Sequence, residues 1–224
     1  MKLLFYVYII FLLKIATVTA QPDSVQVNRD FQFEDGVYQT FEELQANSPS
    51  LSWDEVDAQL VASHQTFMAQ AEYIRRKDGG YLLLDSIWGI CLKGTPFIRL
   101  PGTATNKQAV SFAGLRVRGR ICYYTYEVEK TEMIEIAAYN PLTGRPFRKG
   151  SIPRKVSAVQ EKILHFEDGR RSTFSQEGFL EWIEDDQQLW RTVADLSDEE
   201  VQEKLYKCLL IYDDRNPVYV PVRE

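Results

Sequence analysis

The chain has 224 residues, 26 basic against 32 acidic, and a formal net charge of −6. Its first twenty residues hold two lysines and no acid, so without them 24 bases face 32 acids and the net charge is −8. That excess of acid repels phosphate backbones and excludes general nucleic-acid binding, and no polybasic stripe is present to hold an anionic membrane. With 45% hydrophobic and 12% aromatic residues, the chain can bury the core of one domain or of a compact pair of subdomains.

The N-terminus has three successive parts. Met1-Lys2 is a short positive start, Leu3 to Leu13 is an apolar run, and Val18-Thr19-Ala20 places small or modest side chains ahead of Gln21. This is the layout of a secretory signal peptide cut between Ala20 and Gln21. The competing reading is an uncleaved helix that anchors the protein in the envelope. A spanning helix needs about 20 apolar residues, whereas Lys14 interrupts this one and Thr17-Val18-Thr19-Ala20 closes it, so cleavage is the reading adopted. No cysteine follows closely, which argues against a lipoprotein. The expected organisation is a signal peptide over 1–20, a flexible, polar segment over 21–34 and a single domain over 35–224, secreted or periplasmic. Membrane contact is expected only through the first segment, if it is retained.

Along the domain, Asp35-Gly36 marks a turn and Thr40-Phe41-Glu42-Glu43 is a capping box for a short helix ended by Asn47-Ser48-Pro49. Ser52-Trp53-Asp54-Glu55 is a second capping box, and Trp53, Val56 and Leu60 keep helical spacing towards Ser63. Phe67, Ala69, Ala71 and Tyr73 alternate as a strand does. The turn Lys77-Asp78-Gly79-Gly80 would then lead into a partner strand at Tyr81-Leu82-Leu83-Leu84. Ile87 to Leu92 and Pro96 to Leu100 form a hairpin about Lys93-Gly94-Thr95. A loop over 101–108 precedes a β-rich stretch from Ala109 to Glu129, broken at Gly114 and Gly119. Thr131 to Tyr139 reads as a further strand, closed by the turn Asn140 to Gly144, and 145–155 as a basic loop. Ile163 to Phe166 and Arg171 to Phe174 pair about Glu167-Asp168-Gly169. Thr173-x-x-Gln176 caps one helix, Ser197-Asp198-Glu199-Glu200 caps a longer one, and Asn216-Pro217 stops it before a last extended piece, Val218 to Val220. The fold class expected is α+β: short N-terminal helices, a central, mostly antiparallel sheet and a C-terminal helical pair packed on it.

Three cysteines, Cys91, Cys122 and Cys208, follow the signal. A cross-strand bridge between Cys91 and Cys122 is open to them, but as small buried hydrophobes they need none. Catalysis has little to build on. Nucleophilic chemistry needs a nucleophile beside an oriented base, and the histidines are only His64 and His165, the latter alternating with Leu164 and Phe166 as a structural strand residue does. Glu184-Asp185-Asp186 and Asp213-Asp214 lack the spacing of a calcium loop, and Gly102 to Lys107 lacks the Gly-Lys pair of a phosphate loop. No catalytic residue, metal ligand or cofactor is assigned. The most suggestive feature is Arg116, Arg118 and Arg120. In a regular strand they would line one face with Tyr124 and Tyr126, a cationic and aromatic strip able to grip an acidic glycan, an anionic polymer or an acidic protein surface.

Asp35-Gly36-Val37-Tyr38-Gln39-Thr40-Phe41-Glu42-Glu43, the segment Ile87 to Leu100 and the segment Leu209 to Val220 together resemble uncharacterised secreted proteins of Bacteroidota, with a GxYxTFEEF…NxP opening and a WGxCxxGxPYIR hairpin. The resemblance implies an exported domain with no assigned catalytic residues. The reading from sequence is therefore a non-enzymatic binding or structural domain, its partner an envelope protein or an acidic polymer. The alternatives are a hydrolase-like enzyme with no sequence signature and an anchored envelope component. Expressed in a secreting host, the mature chain is expected to begin at Gln21; an intact mass that still includes residues 1–20 would overturn the cleavage reading.

Overall fold

Strand pairing, not helix packing, organises this chain. A computed structural model describes residues 23–63, 65–80, 82–100, 109–139, 141–144 and 146–222. The segment expected to be a signal peptide, His64 and the stretch 101–108 expected to be a loop lie outside them. The fold is mostly β, 45% strand against 23% helix, and this corrects the expected α+β class.

Six antiparallel strands form the largest sheet, which curls into a half-barrel. They are β2 (Gly36–Tyr38), β3 (Val56–Ser63), β4 (Met68–Arg76), β5 (Gly89–Leu92), β6 (Thr95–Arg99) and β7 (Val110–Gly114), in the spatial order β2-β5-β6-β7-β4-β3. Between β2 and β3 lie α1 (Phe41–Gln45), capped by Thr40 as the sequence predicts, and a single 3-10 turn, Trp53–Glu55. Glu55 accepts from the Ser52 backbone N–H and hydroxyl, but no helix follows. Val56-Asp57-Ala58-Gln59-Leu60 alternates with period two, and pairing with β4 wins over the helical spacing. Nor, among the described residues, does a strand follow Gly80: β4 pairs with β3 and β7, and Leu84–Ser86 is a 3-10 turn.

The β5–β6 hairpin forms as predicted. Lys93 and Gly94 both have positive φ, 52° and 72°, the two-residue turn whose twist matches the flanking strands.

A second sheet has the order β10-β9-β8 and is dominated by β8 (Ile121–Tyr139) and β9 (Pro146–His165), with β10 (Arg171–Thr173) at its base. The expected basic loop over 145–155 is therefore mostly strand, paired along its length with residues 131–139. Exposed on both faces from Lys149 to Lys155, it carried no burial period to betray it. Beyond β10 come α2 (Gln176–Leu180), capped by Ser175 rather than Thr173, then α3 (Gln187–Ala194) and α4 (Asp198–Arg215) with its Ser197 capping box. The chain ends in β11 (Val218–Pro221), paired with β1 (Ser24–Val27) from within the segment expected to be flexible.

The base of β8–β9 is the middle of three layers. Cys122, Tyr124 and Leu164 face Tyr38, Cys91, Ile98 and Ala113 of the large sheet. Their neighbours Ile121, Tyr123 and Ile163 face Phe179, Ile183, Leu209 and Tyr212 of the helices. On its far side the large sheet closes over Val37, Ala71, Ile90, Phe97 and Phe112. The three thiols are free and buried.

At Gly94 a β-carbon would lie 2.6 Å from Gln32 Cβ, on a backbone that side chains rarely adopt. Gly94→Ala is expected to destabilise the protein by about 1–3 kcal/mol in urea unfolding. Gly150→Ala, on β9 with open space around it, should change stability by less than about 0.5 kcal/mol.

Candidate functional site

The five residues of the anticipated strip are dispersed by the fold. Residues 115–120 are irregular, with a single isolated bridge between Val117 and Tyr123, so the three arginines share no strand face. Arg118 turns inward: Nη1 donates to the carbonyls of Phe31 (2.8 Å) and Gly94 (3.2 Å), and Nη2 donates to that of Arg29. It clamps the N-terminal segment to the β5–β6 turn. Arg120 is held by acids, with Nη2 3.1 Å from Glu167 Oε2 and Nη1 3.6 Å from Asp185 Oδ2. Tyr124 is buried in the core, its ring stacked at 6.3 Å on Tyr126. These three side chains serve the fold.

Arg116 and Tyr126 remain together. They line a cleft of about 500 Å³ with Gln65, Thr66, Gln70 and Ser111. Gln70 and Ser111 reach it as register partners on β4 and β7, and Thr125 to Glu127 supply the opposite wall from β8. Arg116 is exposed yet fixed. Its guanidinium lies 4.6 Å from the Phe67 ring centroid, Nε donates to Thr125 Oγ1 at 3.0 Å, and Nη2 donates to the Thr66 carbonyl at 3.1 Å. No carboxylate among the described residues lies within ion-pair distance of it. A cation so placed has its side-chain entropy already spent and keeps three N–H groups for a ligand. Sequence reasoning missed Gln70 and Ser111. The signal for Gln70 was its alternation with Ala69 and Ala71; nothing local announced Ser111.

A second cleft, about 390 Å³, runs between Asn28-Arg29 and the α4 residues Tyr206, Leu210 and Asp213. Asp213 accepts from the Ile121 N–H at 2.8 Å, while its other oxygen, Oδ2, is enclosed and has no partner. Burial raises this carboxyl from its ordinary 3.8 to about 7, against the pull of the Ile121 and Arg120 backbone. Other acids flagged in the sequence have separate tasks. Asp185 accepts from the Tyr212 hydroxyl at 2.9 Å, and Asp186 caps α3 and meets Arg215 at 2.7 Å. Among the described residues no three metal-ligating side chains converge.

Nucleophilic chemistry finds no footing at the cysteines. Burial raises the Cys91 and Cys208 thiols and pushes Cys122 up to about 12, so none is a thiolate at neutral pH. His165 is buried edge-on to Trp182, its Nδ1 3.3 Å from Asp168 Oδ1 but without hydrogen-bond geometry. The comparisons return nothing. No family model, no curated protein and no solved structure matches the chain. Among the described residues no helix is long and apolar enough to cross a membrane.

Asp213 makes stability depend on pH with a definite sign. Its folded pKa lies above its unfolded one, so the native state holds the proton more tightly and loses stability as pH rises from about 4 through 7. Asp213→Asn is expected to be more stable than the parent at pH 8 and to show a shallower loss over that interval. Urea midpoints measured across the range would show parallel curves if the carboxyl were not responsible.

Proposed function

We propose that this is an exported, non-enzymatic binding domain whose ligand is an acidic glycan, held in the cleft between β4, β7 and the base of β8. The observation that carries the reading is Arg116: a guanidinium fixed by Phe67, Thr66 and Thr125, without an acidic partner among the described residues, at the wall of a cleft. Around it the cleft offers what a sugar uses. Gln65, Gln70, Ser111 and Thr125 can hydrogen-bond hydroxyl groups, the partly exposed Tyr126 presents a ring, and Arg116 meets a carboxylate or sulfate. Glu127 accepts from the Ser157 hydroxyl at 2.8 Å, which holds it in place as an acceptor for hydroxyls and sets a limit on how much anionic charge the cleft will take.

An enzyme is the weaker reading, since the thiols are un-ionised and buried and His165 is enclosed. Export itself rests on the layout of residues 1–20 and on the resemblance to secreted proteins.

The test is calorimetric titration of the mature chain with oligogalacturonate, with heparin oligosaccharides and with a neutral cello-oligosaccharide. Binding of an acidic probe is expected, weakening with salt. Arg116→Met should reduce affinity about tenfold or more, the loss of one charge-assisted contact, and Tyr126→Ala should reduce it with little change in salt dependence. Equal affinity for the neutral probe, or an Arg116→Met variant that binds as the parent does, would overturn the assignment.

A further inference from the structure

We infer that the outer part of the β8–β9 ribbon is a self-association element, in which the free edge of β8 on one molecule pairs with the free edge of β9 on the next. This surface borders the glycan cleft at Glu127 and Val159, lies otherwise outside it, and goes beyond that reading.

The ribbon is built for addition. None of its described side chains from Glu127 to Tyr139 or from Lys149 to Glu161 is buried. Thirteen residues of β8 alone extend about 44 Å at 3.4 Å per residue. Among the described residues β8 has β9 as its only strand partner from Tyr126 outwards, and β9 meets β10 only at Lys162–Leu164. Two strands alone are marginally stable in water, and long unpaired edges are templates for further pairing. Met133, Ile136, Ile152 and Val159 are exposed along it, and a third and fourth strand would give them cross-strand neighbours.

Charge identifies the partner. Glu127 to Tyr139 holds four glutamates and one lysine, whereas Pro146 to Val159 holds Arg148, Lys149, Arg154 and Lys155 and no acid. Joining two β8 edges about a two-fold axis would set acid against acid, and joining two β9 edges would set base against base. Only the unlike edges of successive molecules are complementary, which is a head-to-tail contact. The faces agree as well. Glu132 lies opposite Arg154 and Thr131 opposite Lys155 in the ribbon's own register. Residues of like parity therefore share a side, so Glu129 and Glu135 would meet the next molecule's Lys149 and Lys155. Pro153 lacks an N–H to give an added strand, which divides the β9 edge and favours the stretch beyond Arg154. A membrane is a poor alternative partner. Lys130, Glu132 and Arg154 lie on one face and Glu129, Glu135 and Lys155 on the other, and a basic residue facing lipid at mid-depth costs about 2–4 kcal/mol.

The test is sedimentation velocity on the mature chain over a wide concentration range. Mass is expected to rise above the monomer with concentration and to fall back with added salt. The triple variant E129K/E132K/E135K and the triple variant K149E/R154E/K155E should each stay monomeric, with apparent association at least about tenfold weaker. An equimolar mixture of the two should associate, because one then presents basic edges and the other acidic ones. Near-UV circular dichroism establishes that each variant is folded. A shortened chain joining Glu129 to Ser157 through Asn-Gly removes the edges beyond the cleft, keeps the Ser157 hydroxyl on Glu127, and should be folded and monomeric. A wild-type chain that stays monomeric throughout, variants that associate as the parent does, or a mixture that stays monomeric would each refute the inference. Glycan titration of the shortened chain reports on the cleft independently.

Discussion

The fold depends on one double burial, at the base of β8–β9. Consecutive residues there point to opposite sides, and both sides are dry: Cys122 and Tyr124 face the half-barrel, while Ile121 and Tyr123 face the helices. A strand buried on both faces supplies two cores at once, and burying a large apolar side chain contributes about 1.5–3 kcal/mol. The half-barrel and the C-terminal helices are thus joined through a shared sheet. The same strands then run out beyond both cores, so the rigid middle of the molecule continues directly into its most solvated part.

This continuity explains the position of the cleft. Where β8 leaves the core, Tyr126 lies half-buried on the stacked ring of Tyr124, and the rim of the half-barrel falls away beside it. The cleft occupies that step. Its walls belong to rigid elements, and Arg116 is fixed to the strand by Thr125 and to the β3–β4 turn through Thr66 and Phe67. A site of this kind is organised before any ligand arrives.

Much of the chain could be read locally, and the failures have physical causes. The β5–β6 hairpin, the Thr40 and Ser197 caps and the final strand carry their own instructions in turn residues, caps and alternation. Val56 to Ser63 did not, because its apolar residues satisfy two periods and only pairing with β4 decides between them. The outer ribbon was hardest. Its strands bury neither face, so the hydrophobic alternation that reveals a strand is weak, and Arg-Lys-Gly and Ile-Pro-Arg-Lys have the composition of a loop. For the site, Arg116 and Tyr126 could be singled out by type, but their neighbours Gln70 and Ser111 arrive through sheet register. Arg118 and Arg120 were misplaced for the converse reason: Gly119 packs against Asp213, and the chain bends there instead of continuing a strand.

The pairing of β1 with β11 has a temporal meaning. Val27 is made long before its partner Val218, 191 residues further along the chain. Until Val218 to Pro221 appear, Val27 has no strand to cover it and one side of the first core stays open. A core closed by two strands so far apart in the chain is completed only after everything between them has been made.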